Sequence, residues 1–291
     1  MIGFNLSMDF EMGWGDLRRL AADDVFHRRV VAGLEQSGKV LEVLRAAGIP
    51  TTWGIVGGCC HRSLQTLQQA APEAYALVEA QLDELVKRRR DYASVLFCPE
   101  TVVDISREPG IEVGSHGFLH LVPNAVPARV LRSDVAASVE ALRATCGVTV
   151  ASFIPPQNYD WPDAAFADTG IRYVRHTPML FGHPYSSPAV GAKFARLWND
   201  LIVPVEHRNG ADRSARMFFL RLDRGAALWN GQLRMLRELI AVGQGCVFCY
   251  SHPHNLDTPV AIARFAQLCD VVATAKERDQ LDFRRFFREL H

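Results

Sequence analysis

FNLSMDFEMGWG, residues 4–15, is an apolar run that ends in two acidic side chains, Asp9 and Glu11. The run predicts a first β-strand over residues 2–10. Side chains alternate along a strand, so we expect carboxylates two positions apart to point to the same face. Carboxylates at the end of a buried strand are costly without a nearby cation. The stretch therefore predicts a strand whose C-terminal end binds a cation.

Two histidine-bearing stretches lie far from this acidic pair. GSHGFLH contains His116 and His120, and FCYSHPHNL contains His252 and His254. Histidines at i and i+4 share one face of a helical turn, so we expect residues 116–120 to present both imidazoles together. One carboxylate and two imidazoles leave open coordination positions, which a catalytic divalent metal needs. The pattern predicts one catalytic metal site, with the second carboxylate free to act as a base.

Strand-like and helix-like patterns alternate along the chain, which is typical of a parallel sheet covered by helices. The predicted strands cover residues 2–10, 51–56, 111–114, 151–154, 171–175 and 246–250, with one or two more between residues 194 and 222. The predicted helices cover residues 33–47, 72–91, 128–146, 162–169, 228–242 and 259–275. The acidic and histidine motifs follow strand ends, as in the mouth of a (β/α) barrel.

The composition fits one α/β domain over residues 1–291, with a lid or a β excursion at residues 182–210. Lys and Arg together number 32, as do Asp and Glu, so the net charge of zero does not favour a nucleic-acid partner. We find no secretory signal and no apolar run long enough for a membrane span. Seven cysteines, an odd number, fit reduced thiols. These features predict a cytoplasmic protein.

In their order, the motifs resemble those of the polysaccharide deacetylases of the NodB-homology type, carbohydrate esterase family 4, along nearly the whole chain. Asp9-Phe10-Glu11 is similar to the family's paired acids, and residues 116–120 are similar to its His-Ser/Thr-x-x-His motif. Residues 153–159 fall where the family has Arg-x-Pro and an aromatic residue. Residues 250–252 resemble its final Leu-x-His, and residues 52–57 resemble its second strand.

The resemblance implies a distorted, NodB-like (β/α) barrel of about seven parallel strands. It assigns one divalent metal to three ligands: Glu11, His116 and His120. Zinc is the usual ion, and cobalt, nickel or manganese also suit nitrogen and carboxylate ligands. Asp9 would be the general base, and His252 would protonate the departing amine. His254 competes with His252 for that role.

Two positions depart from the family's pattern. Gly117 replaces the hydroxyl residue of the histidine motif, and Ile154 replaces the arginine that orients the catalytic Asp. We hypothesise that Arg175 or His176, at the end of the next strand, supplies the missing charge. The predicted substrate contacts are Trp14, Gln157, Asn158, Tyr159, Arg175 and His254.

The leading interpretation is a metal-dependent deacetylase that acts on an N-acetylated sugar. Its substrate would be a small, nucleotide-linked or lipid-linked acetamido sugar, a cytoplasmic precursor of a surface polysaccharide such as O-antigen or capsule. One alternative is a hydrolase of another C–N bond, such as a deformylase or a ring-opening amidohydrolase. A second is a sugar-binding relative without catalysis. The sequence fixes neither the sugar, nor the metal, nor the oligomeric state.

Overall fold

The computed structural model describes residues 1–124, 126–175, 226–283 and 287–290, together with short strand segments between residues 179 and 219. Its strands are β1 Ile2–Phe10, β2 Thr51–Ile55, β3 Ile111–Ser115, β4 Ser152–Phe153, β5 Tyr173–Arg175, β6 Met179–Leu180, β7 His183–Pro184, β8 Val203–Pro204, β9 Ala215–Phe219, β10 Cys246–Ser251, β11 Leu281–Phe283 and β12 Phe287–Glu289. Its helices are α1 Leu17–Ala22, α2 Asp24–Ala47, α3 Leu64–Ala70, α4 Pro72–Arg88, α5 Tyr92–Leu96, α6 Pro99–Arg107, α7 Ala128–Cys146, α8 Ala226–Val242 and α9 Pro259–Glu277.

Within the described residues, seven strands run parallel in the order β5-β4-β3-β2-β1-β10-β9. The antiparallel strands β12 and β8 flank this set, and β11 pairs with the start of β1. The sheet curls into a half-barrel covered by helices, which confirms the predicted (β/α) architecture. All residues of β1 and β10 are buried, as expected for parallel strands covered on both faces.

Local sequence signals explain where the long helices begin and end. The Asp23 side chain accepts hydrogen bonds from the backbone N–H groups of Val25 and Phe26 and caps α2. Gly48, at φ +62°, ends the same helix in the left-handed conformation. Thr258 caps α9, where Pro259 occupies the first turn. The helix predicted over residues 128–146 is confirmed.

One predicted helix does not form, and one predicted segment lies mainly outside the described residues. The helix predicted over residues 162–169 is wrong, because only a 3₁₀ turn, Asp163–Ala165, forms there. The predicted lid or β excursion at residues 182–210 lies mainly outside the described residues. Its described parts, β7 and β8, pair antiparallel with β6 and β9.

The connection between β2 and β3 is the longest one in the described first half of the chain. Four helices, α3 to α6, lie between Ile55 and Ile111, whereas a single helix usually makes such a crossover. Helix α4 packs against both α1 and α7, next to the loops that follow β1 and β3. This long connection therefore forms one wall beside the C-terminal ends of the strands.

Candidate metal centre and active site

The acidic pair lies where β1 gives way to a 3₁₀ turn, Met12–Asp16. The strand ends at Phe10, and Glu11 already has helical backbone angles, φ −104° and ψ −18°. Side-chain alternation predicted that both carboxylates lie on an extended strand, and this is wrong for Glu11. They still reach the same site, because the turn folds Glu11 back over the strand end. A Cβ atom on Gly15 would meet the Glu11 carboxylate, so a side chain at residue 15 would displace that carboxylate from its position.

The histidine motif forms a loop, not the predicted helical turn. Gly117 has φ +75° and His120 has φ +56°, both in the left-handed region. Neighbouring backbone groups anchor this loop: Gly57 N–H donates to the Gly117 carbonyl at 2.9 Å, and Gly58 N–H donates to the Phe118 carbonyl at 2.8 Å. The two imidazoles therefore converge through loop geometry instead of helical spacing.

Glu11, His116 and His120 form the cluster that can hold a metal ion. Their candidate ligand atoms all lie within 4.8 Å of one another, and all three residues are buried. His120 Nε2 lies 2.9 Å from Glu11 Oε2, and His116 Nε2 lies 3.6 Å from the same oxygen. Neither buried Nε2 atom has a hydrogen-bond partner, which is unusual for polar atoms inside a protein. A divalent cation would satisfy both nitrogens and the carboxylate, so this donor set fits a metal.

The ring of His116 is oriented for metal binding by the backbone after β4. Its Nδ1 lies 2.6 Å from the Ile154 carbonyl oxygen. A carbonyl oxygen can only accept, so Nδ1 carries the proton and Nε2 presents its lone pair to the cluster. Burial lowers the pKa of His116 and keeps the imidazole neutral, as a metal ligand must be.

Asp9 pairs with Arg175, which comes from β5 on the opposite side of the curled sheet. Nη1 of Arg175 donates to Asp9 Oδ1 at 2.6 Å, and Nη2 donates to Oδ2 at 2.9 Å. Both side chains are almost completely buried. The same guanidinium donates to Ser7 Oγ and to Asn158 Oδ1. Of the two candidates for the missing motif-three cation, the structure places Arg175 on Asp9; His176 lies outside the described residues.

The position of Ile154 explains why the cation comes from another strand. Its side chain is fully buried, and a Cβ atom on Gly54 would lie only 2.6 Å from Ile154 Cδ1. Gly54 is paired in register with Asp9 on the neighbouring strand. Ile154 therefore fills the barrel interior beside β2, and Arg175 occupies the space next to the Asp9 carboxylate.

Both carboxylates are held ionised by their surroundings. Burial by itself would raise the pKa of Asp9, but the charge and the hydrogen bonds of the Arg175 guanidinium outweigh burial and lower it. For Glu11, burial is again opposed, here mainly by His252 and His120, and its pKa lies well below its usual value. The site therefore offers two carboxylates in their charged forms.

His252 follows β10 and faces the carboxylates. Its Nε2 lies 3.6 Å from Glu11 Oε1 and 4.0 Å from Asp9 Oδ2. His254 stacks on the His252 ring with centroids 5.0 Å apart and meets Phe26 of α2 edge to face. Arg29 of α2 donates to the His254 carbonyl and to Asp257, which fixes this turn. Of the two competing histidines, His252 is thus the one placed against Asp9 and Glu11.

The predicted substrate contacts divide into buried and accessible residues. Trp14 is 2% exposed, and its Nε1 donates to the Leu96 carbonyl at 2.9 Å, yet it forms part of the wall of the cavity that His120 lines. Asn158 is also buried and uses both ends of its amide, on Arg175 and on the Tyr250 hydroxyl. Gln157 is exposed, and Tyr159 is half-buried. Gln157 and His120 line the same cavity of about 460 Å³.

One buried residue of the site was not identified from the sequence. Asp134 of α7 accepts hydrogen bonds from the backbone N–H groups of Phe118 and Leu119, at 2.8 and 3.0 Å. Burial raises its pKa to about 6, against the opposing effect of these two donors. A signal was present, because Asp134 and Ser138 interrupt the apolar face that Val130, Leu131 and Val135 define on this helix.

The chain is similar to known proteins in sequence and in fold. The family model described as polysaccharide deacetylase matches residues 32–174. A protein from Mycobacterium smegmatis, provisionally assigned as a polysaccharide deacetylase, is similar in structure, with a TM-score of 0.54, 16% sequence identity, and coverage of 100% of this chain and 95% of that chain. No curated protein matches the sequence.

Two further solved structures are more distant. A CE4 family pseudoenzyme from Bacillus anthracis has a TM-score of 0.47 and 12% identity, covering 95% of this chain and 61% of that one. A family 4 carbohydrate esterase from Streptomyces lividans, in complex with acetate, has a TM-score of 0.43 and 13% identity, covering 97% and 92%. The family model agrees with the order of the site motifs, and residues 32–174 belong to the polysaccharide deacetylase family.

Proposed function

We propose that this protein is a metal-dependent deacetylase that hydrolyses the acetyl group of an N-acetylated sugar. The observation that carries the proposal is the buried Asp9–Arg175 ion pair next to the Glu11, His116 and His120 cluster. A family member built only to bind a sugar would not need a base that is ionised, buried and oriented by a bidentate cation, because such pairs are costly to bury.

Glu11, His116 and His120 would hold the metal, and zinc suits two imidazoles and a carboxylate best. Three protein ligands leave room in the coordination sphere for reacting groups. When bound, the cation supplies Lewis-acid chemistry, polarising the acyl carbonyl and making water more acidic. The chain's own residues then have to fix orientation and move protons.

We propose that Asp9 accepts the proton from the attacking water. Its lowered pKa makes it a weak base, so it matches water that has already been acidified. Arg175 fixes the orientation of the carboxylate through two hydrogen bonds, and Asn158 holds Arg175 in turn. This arrangement supplies the orienting cation that Ile154 cannot provide, which argues for catalysis over the non-catalytic alternative.

We propose that His252 protonates the departing amine. Its Nε2 faces both carboxylates, and its Nδ1 lies 3.3 Å from Nδ2 of Asn255. As the general acid, His252 would act in its imidazolium form, in which both ring nitrogens carry protons and Nε2 gives its proton to the amine.

The cavity beside His120 supports a small substrate. Its volume of about 460 Å³ lies within the range of small-molecule sites. Its walls come from α4 and from the loops after β1, β3 and β4. Gln157, in the loop after β4, is the residue that we propose contacts the substrate. We therefore favour a nucleotide-linked or lipid-linked acetamido sugar, as a precursor of a surface polysaccharide. No described helix is long and apolar enough to cross a membrane.

Release of acetate from a panel of nucleotide-linked N-acetyl sugars, by the zinc-loaded protein, tests this function. We expect turnover with at least one sugar and none with the Asp9→Asn variant. Formyl analogues in the same panel distinguish a deformylase, which would release formate in preference to acetate. Stoichiometric metal binding without turnover on any member would favour the non-catalytic alternative.

A further inference from the structure

Asp134 contacts the loop that carries both histidine ligands. The loop has two left-handed residues and no helical hydrogen bonds to define its shape. Two of its consecutive amides, Phe118 N–H and Leu119 N–H, donate to the two oxygens of Asp134. The carboxylate is completely buried and comes from the rigid helix α7. It is thus a fixed, bidentate acceptor for the two amides that lie between His116 and His120 in the sequence.

Gly117 is fitted to this carboxylate. A Cβ atom on Gly117 would lie 2.9 Å from Asp134 Oδ2, closer than real Cβ atoms approach an oxygen. The residue also has φ +75°, where a side chain is strained. Its N–H lies 3.2 Å from Ser115 Oγ, which is hydrogen-bonded to Ser138 of the same helix. The Asp134 carboxylate therefore occupies space that a side chain at residue 117 would need.

We propose that Asp134 is the positioning residue of the metal centre, and that it takes over the loop-stabilising role of the hydroxyl that Gly117 lacks. The inference rests on the proposed metal site. Asp134 touches neither substrate nor metal; it acts by fixing the directions of His116 and His120. Its loss would leave two buried amides without an acceptor and would let the two imidazoles spread apart.

Zinc affinity, measured by chelator competition on the full chain, tests the proposal. Groups that orient metal ligands typically change metal affinity by about 10- to 100-fold, and we expect a loss of that size for Asp134→Ala. Asp134→Asn, which keeps one acceptor oxygen, should lose less. Ser37→Ala is the control, because it removes a buried hydroxyl that donates to the Gly33 carbonyl within α2 and takes no part in the hydrogen bonds of the 116–120 loop; it should bind zinc nearly as well as the natural chain. The visible spectrum of the cobalt form should change in Asp134→Ala and not in the control, which a merely structural role would not produce.

A second pair of variants tests the coupling of the two positions. Gly117→Ser alone should lower zinc affinity, because its Cβ meets the carboxylate. Gly117→Ser combined with Asp134→Ala should bind zinc more tightly than the product of the two single losses predicts. Chemical unfolding of each variant identifies any that fails to fold, and the Asp134→Asn variant then carries the test.

Natural-chain zinc affinity in both Asp134 variants would overturn the proposal and leave the proposed function standing. Equal losses in Asp134→Ala and Ser37→Ala would also overturn it, because the effect would then follow from the loss of any buried polar group. Absence of zinc binding by the natural chain would overturn both the proposed function and this inference.

Discussion

The proposed site has two halves that are built by different means. The metal half consists of Glu11, His116 and His120, and the base half consists of Asp9 and its ion pair with Arg175. In the metal half, Glu11, His116 and His120 occupy the positions that the family's motifs give to ligands, and backbone groups of nearby loops orient them. In the base half, Asp9 keeps its motif position, whereas its cation has moved to Arg175, on a strand four places away in the sheet.

This difference follows from what each half must achieve. Metal ligands must converge on one point, so each depends on the local shape of its own loop. Orienting a carboxylate requires only that a guanidinium reach it, and any strand that faces the barrel interior can supply one. Charge compensation can therefore move between strands more freely than ligation can.

The largest expected effect separates the two halves. Glu11→Ala removes a ligand, so we expect metal and activity to be lost together. Asp9→Asn removes the base, so we expect a drop of about 10²- to 10⁴-fold in kcat with metal retained. Elemental analysis and acetate release, measured on the same preparations, check both. Loss of metal in Asp9→Asn would show that the halves are not separate.

The second expected effect concerns the relocated cation. Arg175→Met leaves the buried Asp9 carboxylate uncompensated, which should lower the free energy of unfolding by about 3–5 kcal/mol. Urea unfolding measures this loss, and acetate release should fall in parallel. Arg175→Lys keeps the charge but loses the two parallel hydrogen bonds, so it should recover stability better than activity.

Arg143→Met is the matched control for this prediction. Arg143 also donates two hydrogen bonds to one carboxylate, that of Glu140, but both side chains are more than 60% exposed. Its loss should cost less than about 1 kcal/mol. A similar cost for the two arginine variants would contradict the account of Arg175, since burial would then make no difference.

A smaller effect is expected at Gly15, on the metal side. The atoms that a new Cβ would meet belong to the flexible end of the Glu11 side chain. Gly15→Ala should therefore displace the carboxylate, weakening metal binding by about 10-fold with little change in stability. Chelator competition and thermal unfolding check the two parts. Gly38→Ala is the control, because nothing lies within 4 Å of a Cβ there. A large loss of stability with unchanged metal affinity would contradict this reading.

The smallest effect on activity is expected at Asn158, whose Oδ1 accepts a hydrogen bond from the Arg175 guanidinium. Asn158→Ala removes one acceptor of the guanidinium and one donor to Tyr250 Oη, at a cost of about 1–3 kcal/mol. Asn158→Asp keeps the acceptor for Arg175 and should retain more activity than Asn158→Ala. Steady-state acetate release compares them, and equal activity would mean that Asn158 does not orient Arg175.

Much of the fold could be predicted from the sequence, because hydrophobic periodicity survives wherever an element is buried. The apolar run before Asp9 gave the first strand its bounds, Ile2–Phe10, and the spacing within residues 128–146 gave α7. Short helices such as α1, α3, α5 and α6 carry too few turns to show a period, and none was expected. Residues 162–169 carry helical spacing, yet only one 3₁₀ turn forms.

The site was predictable as a set of residues but not as a geometry. The motifs pointed to Asp9, Glu11, His116, His120 and His252, which the structure brings together. Spacing arguments failed locally: the histidine motif is a loop with residues in the left-handed region, and Glu11 lies beyond the strand. Arg175 could be proposed from its strand end, but its partner depends on the curl of the sheet. Asp134 was missed although it interrupts the apolar face of α7, because that pattern does not show which loop the carboxylate contacts.

Elemental analysis of the purified protein and of its Glu11→Ala/His120→Ala variant shows whether Glu11, His116 and His120 bind a metal. We expect one metal ion per chain in the natural protein and none in the variant, because three ligands define the site. Metal retained by the variant, or no metal in the natural protein after loading with zinc, cobalt, nickel or manganese, would contradict it.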